Sequence, residues 1–365
     1  HLSIRRQRQM CIRDRNIDKI LKELTLEEKA SLCSGSDFWH TEEIKRLDIP
    51  SIMVSDGPHG LRKMRDDTDN PNEAIKAVCF PCACALACSF DRKLLTTLGK
   101  ALGEECQAED VSVILGPGCN IKRSPLCGRN FEYFSEDPYL ASQLATAHIK
   151  GVQSKGVGTS LKHFAMNNQE TERLWVNVEA DERTMREIYF PAFQAVVQKA
   201  GAKSIMGSYN LIRGTHVCEN KDIMGTVLRK EWGFDGTIIS DWGAVHTTKG
   251  TAEGPLDIEM SVTSDFDDYF LANPLISEIR KGNIDEACVD EKVRNILRMM
   301  VRLHMIELTE VPDSDGKKKI LVQKNKNRKA GSYNTAKHRF EVLKVARESI
   351  TLLKNEDRKL PLDPA

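Results

Sequence analysis

Five short apolar runs are spaced along the chain between longer amphipathic stretches, and that alternation limits the folds open to it. The runs are Ile52-Met53-Val54, Val111 to Leu115, Gly158 to Leu161, Ser204-Ile205-Met206 and Thr237-Ile238-Ile239, each ending in a polar or Gly-rich loop. Between them, Leu94 to Gln107, Tyr139 to Ser154, Glu182 to Lys199 and Asp222 to Trp232 carry helical periodicity. Strands alternating with helices over this length predict a parallel α/β barrel of the (β/α)8, TIM-like kind.

Active sites of such barrels are built at the C-terminal ends of the strands. Polar side chains stand at those places here. Asp56 follows the first run, Lys162 and His163 follow Gly158 to Leu161, Tyr209 follows Ser204 to Met206, and Asp241 follows Thr237 to Ile239. The fold and the candidate chemistry support each other.

At 365 residues the chain is longer than the size at which one core stops growing, so a large domain plus a fragment is expected. Residues 1–15 show no apolar periodicity and are expected to be a non-native or disordered extension. Ile17, Ile20, Leu21 and Leu24 then recur at helical spacing, and Thr25 with Glu28 forms a capping-box pattern for a second helix running towards Gly35. The barrel is assigned to 16–306. Residues 307–339 turn polar and Lys-rich and are expected to be a linker, and 340–365 the start of a truncated second domain, with a helix over Phe340 to Ser349 and a strand over Ile350 to Leu353.

Lys+Arg and Asp+Glu are equal at 53 each, so no global field draws in nucleic acid or an anionic membrane. A small neutral partner fits better. No apolar run is long enough to span a bilayer, and the N-terminus lacks the apolar stretch of a signal peptide. An odd count of 11 cysteines and the lack of an N-x-[ST] acceptor favour the cytoplasm.

The segment with most chemistry is Gly236 to Gly243, in which an apolar strand delivers Asp241 followed by Trp242 and Gly243. A lone Asp after a strand is commonly a helix cap. Asp241 has company, however: Asp56 and Arg62 in Ser55 to Arg62, Arg129 in Gly128 to Glu132, and Lys162-His163-Phe164 running on to Asn167, Glu170 and Arg173. Carboxylate, ammonium, guanidinium and imidazole groups at successive strand ends suit hydrogen bonding to the hydroxyls of a sugar ring. Tyr209 and Trp242 add flat apolar faces for its C–H side.

SDGPHGLR, GRNFEYFSEDP, KHF, GSYN and SDWGAVH, in that order, resemble the motifs of family 3 glycoside hydrolases. ARESITLLKNEDRKLPL resembles the opening of that family's second, α/β sandwich domain. The resemblance covers about residues 17 to 365 and implies a retaining β-glucosidase-like enzyme, with Asp241 as the nucleophile that forms a glycosyl-enzyme. It also implies that Asp56, Arg62, Arg129, Lys162, His163 and Arg173 line the sugar subsite, with Tyr209 beside the nucleophile and Trp242 as the stacking residue. β-Glucosides and short oligosaccharides are the expected partners, and no cofactor or metal is expected.

No acid in the matched motifs reads as the proton donor, which in many members comes from the second domain. Cys79, Cys82, Cys84 and Cys88 faintly suggest a metal site, but their stretch resembles the family's small-residue strand FPTATALA, with Cys packing as a small hydrophobe. Leu256 to Met260 keeps most of a Leu-Asp-Leu-Glu-Met-Pro-like phrase, with Ser261 in place of Pro. A β-N-acetylglucosaminidase would need a His and an Asp after Lys-His-Phe, and Ala165-Met166-Asn167 stand there instead. A β-xylosidase or other β-glycosidase, and a sugar-binding fragment without turnover, remain alternatives.

Overall fold

A computed structural model describes residues 12, 14–65, 67–68, 70, 73–312, 315–316, 318–325 and 331–363. In chain order its strands are β1 (Val54–Ser55), β2 (Val113–Ile114), β3 (Gly158–Phe164), β4 (Asn177–Val178), β5 (Ser204–Gly207), β6 (Leu211–Ile212), β7 (Thr215–His216), β8 (Thr237–Ser240), β9 (Ile306–Pro312) and β10 (Lys318–Lys324). All five apolar runs contain strands. β1, β2, β3, β5 and β8 pair in that order, every pair parallel. All residues of these five strands are buried, as a sheet covered on both faces requires.

The sheet curls, and isolated bridges carry its β8 edge back to β1. Ile239 bridges Ile258 and Glu259 bridges Ser34, both parallel, whereas Gly35–Thr41 and His40–Met53 are antiparallel. The TIM-like barrel is therefore the fold, closed by a stitched seam whose single-residue bridges form no apolar run. In the seam, buried Glu259 accepts the Leu271 N–H at 2.8 Å. Met260 is pinned by Ser240, and its carbonyl accepts the Gly243 N–H at 3.1 Å, so the Ser261 substitution leaves this turn anchored.

Helices surround the sheet. A first helix, α1, covers 14–21 and buries Ile17, Ile20 and Leu21, and α2 (Leu26–Leu32) opens with the expected Thr25–Glu28 capping box. α1 begins inside the segment expected to be an extension, and Asp14 pairs with Arg298 at 3.3 Å. Residues 1–11 and 13 of that segment lie outside the described residues. α3 spans Ala83–Ala87, α4 Arg92–Ala108 and α5 Pro138–Gln153, the last two capped by Asp91 and Asp137. α4 and α5 cross at glycines: a Cβ on Gly99 would stand 2.3 Å from the His148 carbonyl oxygen, and one on Gly151 2.3 Å from that of Thr96.

Four local expectations change. Within the Phe80 to Ala87 stretch, expected as a strand, Ala83–Ala87 form helix α3 with Cys82 as its N-cap. Ala83, Leu86 and Ala87 supply its packing, while Cys79 and Cys88 are exposed and Cys82 and Cys84 half-buried. The predicted helix over Glu182 to Lys199 is interrupted by π-turns at Met185–Tyr189 and Val196–Ala200; at the first, Pro191 offers no N–H and its ring displaces the carbonyl four residues before it. Within 307–339, β9 and β10 form an antiparallel hairpin that buries Ile306, Ile320 and Val322. Ile350 to Leu353 carries no strand; Ile350, Leu352 and Leu353 are exposed and no neighbouring strand pairs with them among the described residues. The helix before it is present as Ala336–Glu348, held to α4 by His338 between Glu104 and Glu105. Among the described residues no helix is long and apolar enough to cross a membrane.

Candidate active site

β3 delivers Lys162 and His163 at its C-terminal end, and Asn120 clamps them there. The His163 N–H donates to Asn120 Oδ1 at 2.8 Å, and Asn120 Nδ2 donates to the His163 carbonyl at 2.9 Å. Lys162 Nζ donates to Asp56 Oδ1 at 3.0 Å and lies 3.8 Å from Glu132 Oε2. Burial opposes the Lys162 charge, but Asp56 and Glu132 outweigh it and raise the pKa above its ordinary value. Burial likewise opposes the Asp56 charge, yet Lys162, Arg62 and Arg129 hold that carboxyl below the usual range. Arg62 approaches Asp56 from the solvent side, at 3.4 Å.

Arg129 is bonded to Glu132 through Nε, and its Nη2 lies 2.8 Å from His163 Nε2. A guanidinium can only donate, so Nε2 accepts and the imidazole is neutral, with its proton on Nδ1 directed to Tyr133 Oη at 3.1 Å. Burial, then the charges of Arg129, Lys162 and Arg173, push the His163 pKa well down, in agreement with that tautomer. His163 Nε2 also stands 3.6 Å from Asp241 Oδ2, and because Nε2 carries no proton this contact is not an ion pair.

Asp241 follows β8 directly and is buried. Its Oδ1 accepts the Trp242 N–H at 2.9 Å, and its Oδ2 has no hydrogen-bond partner among the described residues. Burial pushes the Asp241 pKa above its ordinary value, against the pull of Arg129, Lys162 and the Trp242 N–H. The helix-cap alternative does not hold: the next helix, Thr248–Glu253, is capped by Thr247.

Tyr209 and Trp242 form the apolar wall. Tyr209 Oη donates to the Trp242 carbonyl at 3.1 Å, and the Arg173 guanidinium lies 4.5 Å from the Tyr209 ring centre while pairing with Glu170 at 2.7 Å. Trp242 Nε1 donates to the Phe38 carbonyl at 2.9 Å, with the Phe38 and Trp39 rings 5.9 and 5.6 Å away.

These groups enclose a cavity of about 320 Å³. All nine residues expected from the sequence line it: Asp56, Arg62, Arg129, Lys162, His163, Arg173, Tyr209, Asp241 and Trp242. Phe38, Trp39, Leu115 and Met206 line it too and were not expected. Nor were Asn120 and Tyr133, which orient His163 from behind; Asn120, a polar residue soon after β2, could have been found by the same strand-end reasoning as Asp56. One wall is charged, another flat and apolar, and a carboxylate oxygen without a partner stands between them. That is an arrangement for a polyhydroxylated ring with an electrophilic carbon.

Residues 2–299 match the model for the glycosyl hydrolase family 3 N terminal domain. The thermostable β-glucosidase B of Acetivibrio thermocellus is 48% identical over 349 residues, 95% of this chain and 43% of that protein. An exo-α-(1->6)-L-arabinopyranosidase of Bifidobacterium longum is 45% identical over 354 residues, 94% of this chain and 42% of that one. The structure of β-glucosidase 3B from Thermotoga neapolitana in complex with glucose superposes with a TM-score of 0.83 at 34% identity, covering 95% of this chain and 48% of that one. The chain thus spans less than half the length of these relatives.

Proposed function

The chain belongs to glycosyl hydrolase family 3, and from that premise we propose that it is the catalytic barrel of a retaining β-glucosidase whose nucleophile is Asp241. The observation that carries the proposal is Asp241 Oδ2, buried beside the cavity with no hydrogen-bond partner among the described residues. In the proposed reaction one carboxylate oxygen bonds the anomeric carbon as the glycosidic C–O bond breaks, the leaving oxygen takes a proton, and water later releases the sugar. Asp56, held ionised by Lys162, accepts from ring hydroxyls, and these bonds strengthen as the ring distorts. Arg62, Arg129, His163 and Arg173 bind the remaining hydroxyls, and Trp242 stacks on the C–H face.

Retaining hydrolysis needs a second carboxyl about 5 to 5.5 Å from the first, protonated to serve the leaving group. Among the described residues the only other carboxylate lining the cavity is Asp56, which its cations keep in the wrong protonation state. Proton delivery is therefore assigned to a group outside this cavity. We also place the protein in the cytoplasm, on its odd cysteine count and lack of glycosylation acceptors; cell fractionation would check this.

The test is covalent labelling with 2,4-dinitrophenyl 2-deoxy-2-fluoro-β-glucoside, whose leaving group departs without acid help. The 365-residue chain should gain one fluoroglucosyl mass on the peptide carrying Asp241, and Asp241→Ala should abolish it. Label on another residue would move the nucleophile, and no label on a correctly folded chain would remove the proposal. The B. longum relative favours a second reading, an α-L-arabinopyranosidase; faster labelling by the corresponding 2-fluoroarabinopyranoside would establish it.

A further inference from the structure

Trp175 is 66% exposed, an unusual state for so large an apolar side chain. It is not isolated. Its ring centre lies 5.9 Å from that of His216 and 5.4 Å from that of His246, and the two imidazoles stack on each other at 3.6 Å and 22°. Three different segments bring the rings together: the loop after β3, strand β7, and the loop after β8.

The cluster is fixed from behind. Glu219 Oε1 accepts the N–H groups of His246 and Thr247 at 3.2 and 2.8 Å, His216 Nδ1 lies 3.2 Å from the Tyr209 carbonyl oxygen, and the Trp175 N–H donates to the Glu172 carbonyl at 2.8 Å. Burial, then the neighbouring His216, hold the His246 pKa below its ordinary value, which favours the uncharged ring. The cluster lies outside the cavity lining but adjoins residues that form it. Tyr209, whose carbonyl meets His216, lines the cavity; Arg173, two residues before Trp175, lies over the Tyr209 ring; and His246 is on the loop that begins at Asp241.

We propose that Trp175, backed by His216 and His246, is a platform for the ring on the leaving-group side of the substrate, whether a second sugar or an aryl group. The inference rests on the glycosidase reading above. The terminal sugar is enclosed by the charged cavity, so what remains for surfaces beyond its lining is the portion across the scissile bond. An exposed indole meets the C–H face of a pyranose or the face of an aryl ring. The two histidines stand against the indole at steep angles, 72° and 51°, and leave Trp175 largely open to solvent.

Titrations of the 365-residue chain with three uncleaved ligands test this: methyl β-thioglucoside, which has no second ring, 4-thiocellobiose and phenyl β-thioglucoside. Trp175→Ala should leave the affinity for methyl β-thioglucoside within twofold while weakening both two-ring ligands about three- to tenfold. His246→Ala should weaken the two-ring ligands in the same direction, and His246→Phe, which keeps an aromatic ring there, should restore them. Equal losses for all three ligands would mean that Trp175 merely props the cavity, and unchanged two-ring affinities would mean that nothing rests on it; either overturns the platform alone. If the unaltered chain, folded by its melting curve, binds none of the three, the glycosidase reading fails and the platform with it.

Discussion

Glu259→Gln is expected to change how stability responds to pH, not only how large it is. Glu259 is buried in the barrel seam and meets the backbone N–H of Leu271 but, among the described residues, no cation, and burial raises its pKa from 4.5 to about 7 against the help of the Leu271 and Phe270 N–H groups. The folded state then holds a proton that the unfolded chain releases between those values. Stability is fully present below about pH 4.5 and is lost as pH rises towards 7, the sign for a raised acid. At about 1.4 kcal/mol per tenfold change in proton affinity, the ionised side chain costs the fold roughly 3 kcal/mol above pH 7. An unfolding entropy of about 2.1 cal/mol/K per residue over 365 residues converts this to about 4 °C in Tm. Gln cannot ionise, and whatever its amide costs is the same at every pH. The Tm of the variant minus that of the parent should therefore rise by about 4 °C between about pH 4.5 and pH 8. A difference that stays flat, or falls with pH, would refute the reasoning and show that the two N–H groups outweigh burial.

Two further outcomes are expected. Asp56→Asn removes a charge-assisted acceptor while keeping the shape, so glucose should bind about 10- to 100-fold more weakly, and the melting temperature should fall as well because the buried Lys162 ammonium loses a charged partner; unchanged affinity would take Asp56 out of the subsite. His148 on α5 is buried with neither ring nitrogen hydrogen-bonded among the described residues, and burial pushes its pKa down to about 3, so His148→Leu should raise stability by about 1 kcal/mol, read as a higher urea midpoint. A lower midpoint would show that the ring's shape matters more than its polarity.

What could be read from the sequence follows from how the site is made. Asp56, Lys162, His163, Tyr209 and Asp241 sit on or just past buried apolar strands, so strand pattern and chemistry point to the same places, and all of them line the cavity. The seam was illegible because Ser34, Ile258 and Glu259 pair through single bridges and make no run. Lys318 and Lys319 hid the alternation that buries Ile320 and Val322 in the hairpin, so a charged surface read as a linker. The stretch that holds α3 was expected to be a strand only from its resemblance to FPTATALA, and its small residues, Ala83 to Ala87, pack equally well as a helix. Trp39 and Phe38 lie in the seam, and no local pattern links them to residues some two hundred positions away.

That seam gives the ring a preferred place to open. Asp56 leaves the strand on one side of it and Asp241 the strand on the other, with Phe38 and Trp39 between them along the cavity lining. A sugar held by both carboxylates would act as a staple across the joint. Amide exchange around residues 34–41 and 258–260 should then slow on binding glucose more than exchange in β2, β3 and β5, whose ladders are already continuous. Affinity for the ring and closure of the barrel would be one equilibrium seen from two ends, and loosening the joint by mutation would tax binding even where no side chain touches the sugar.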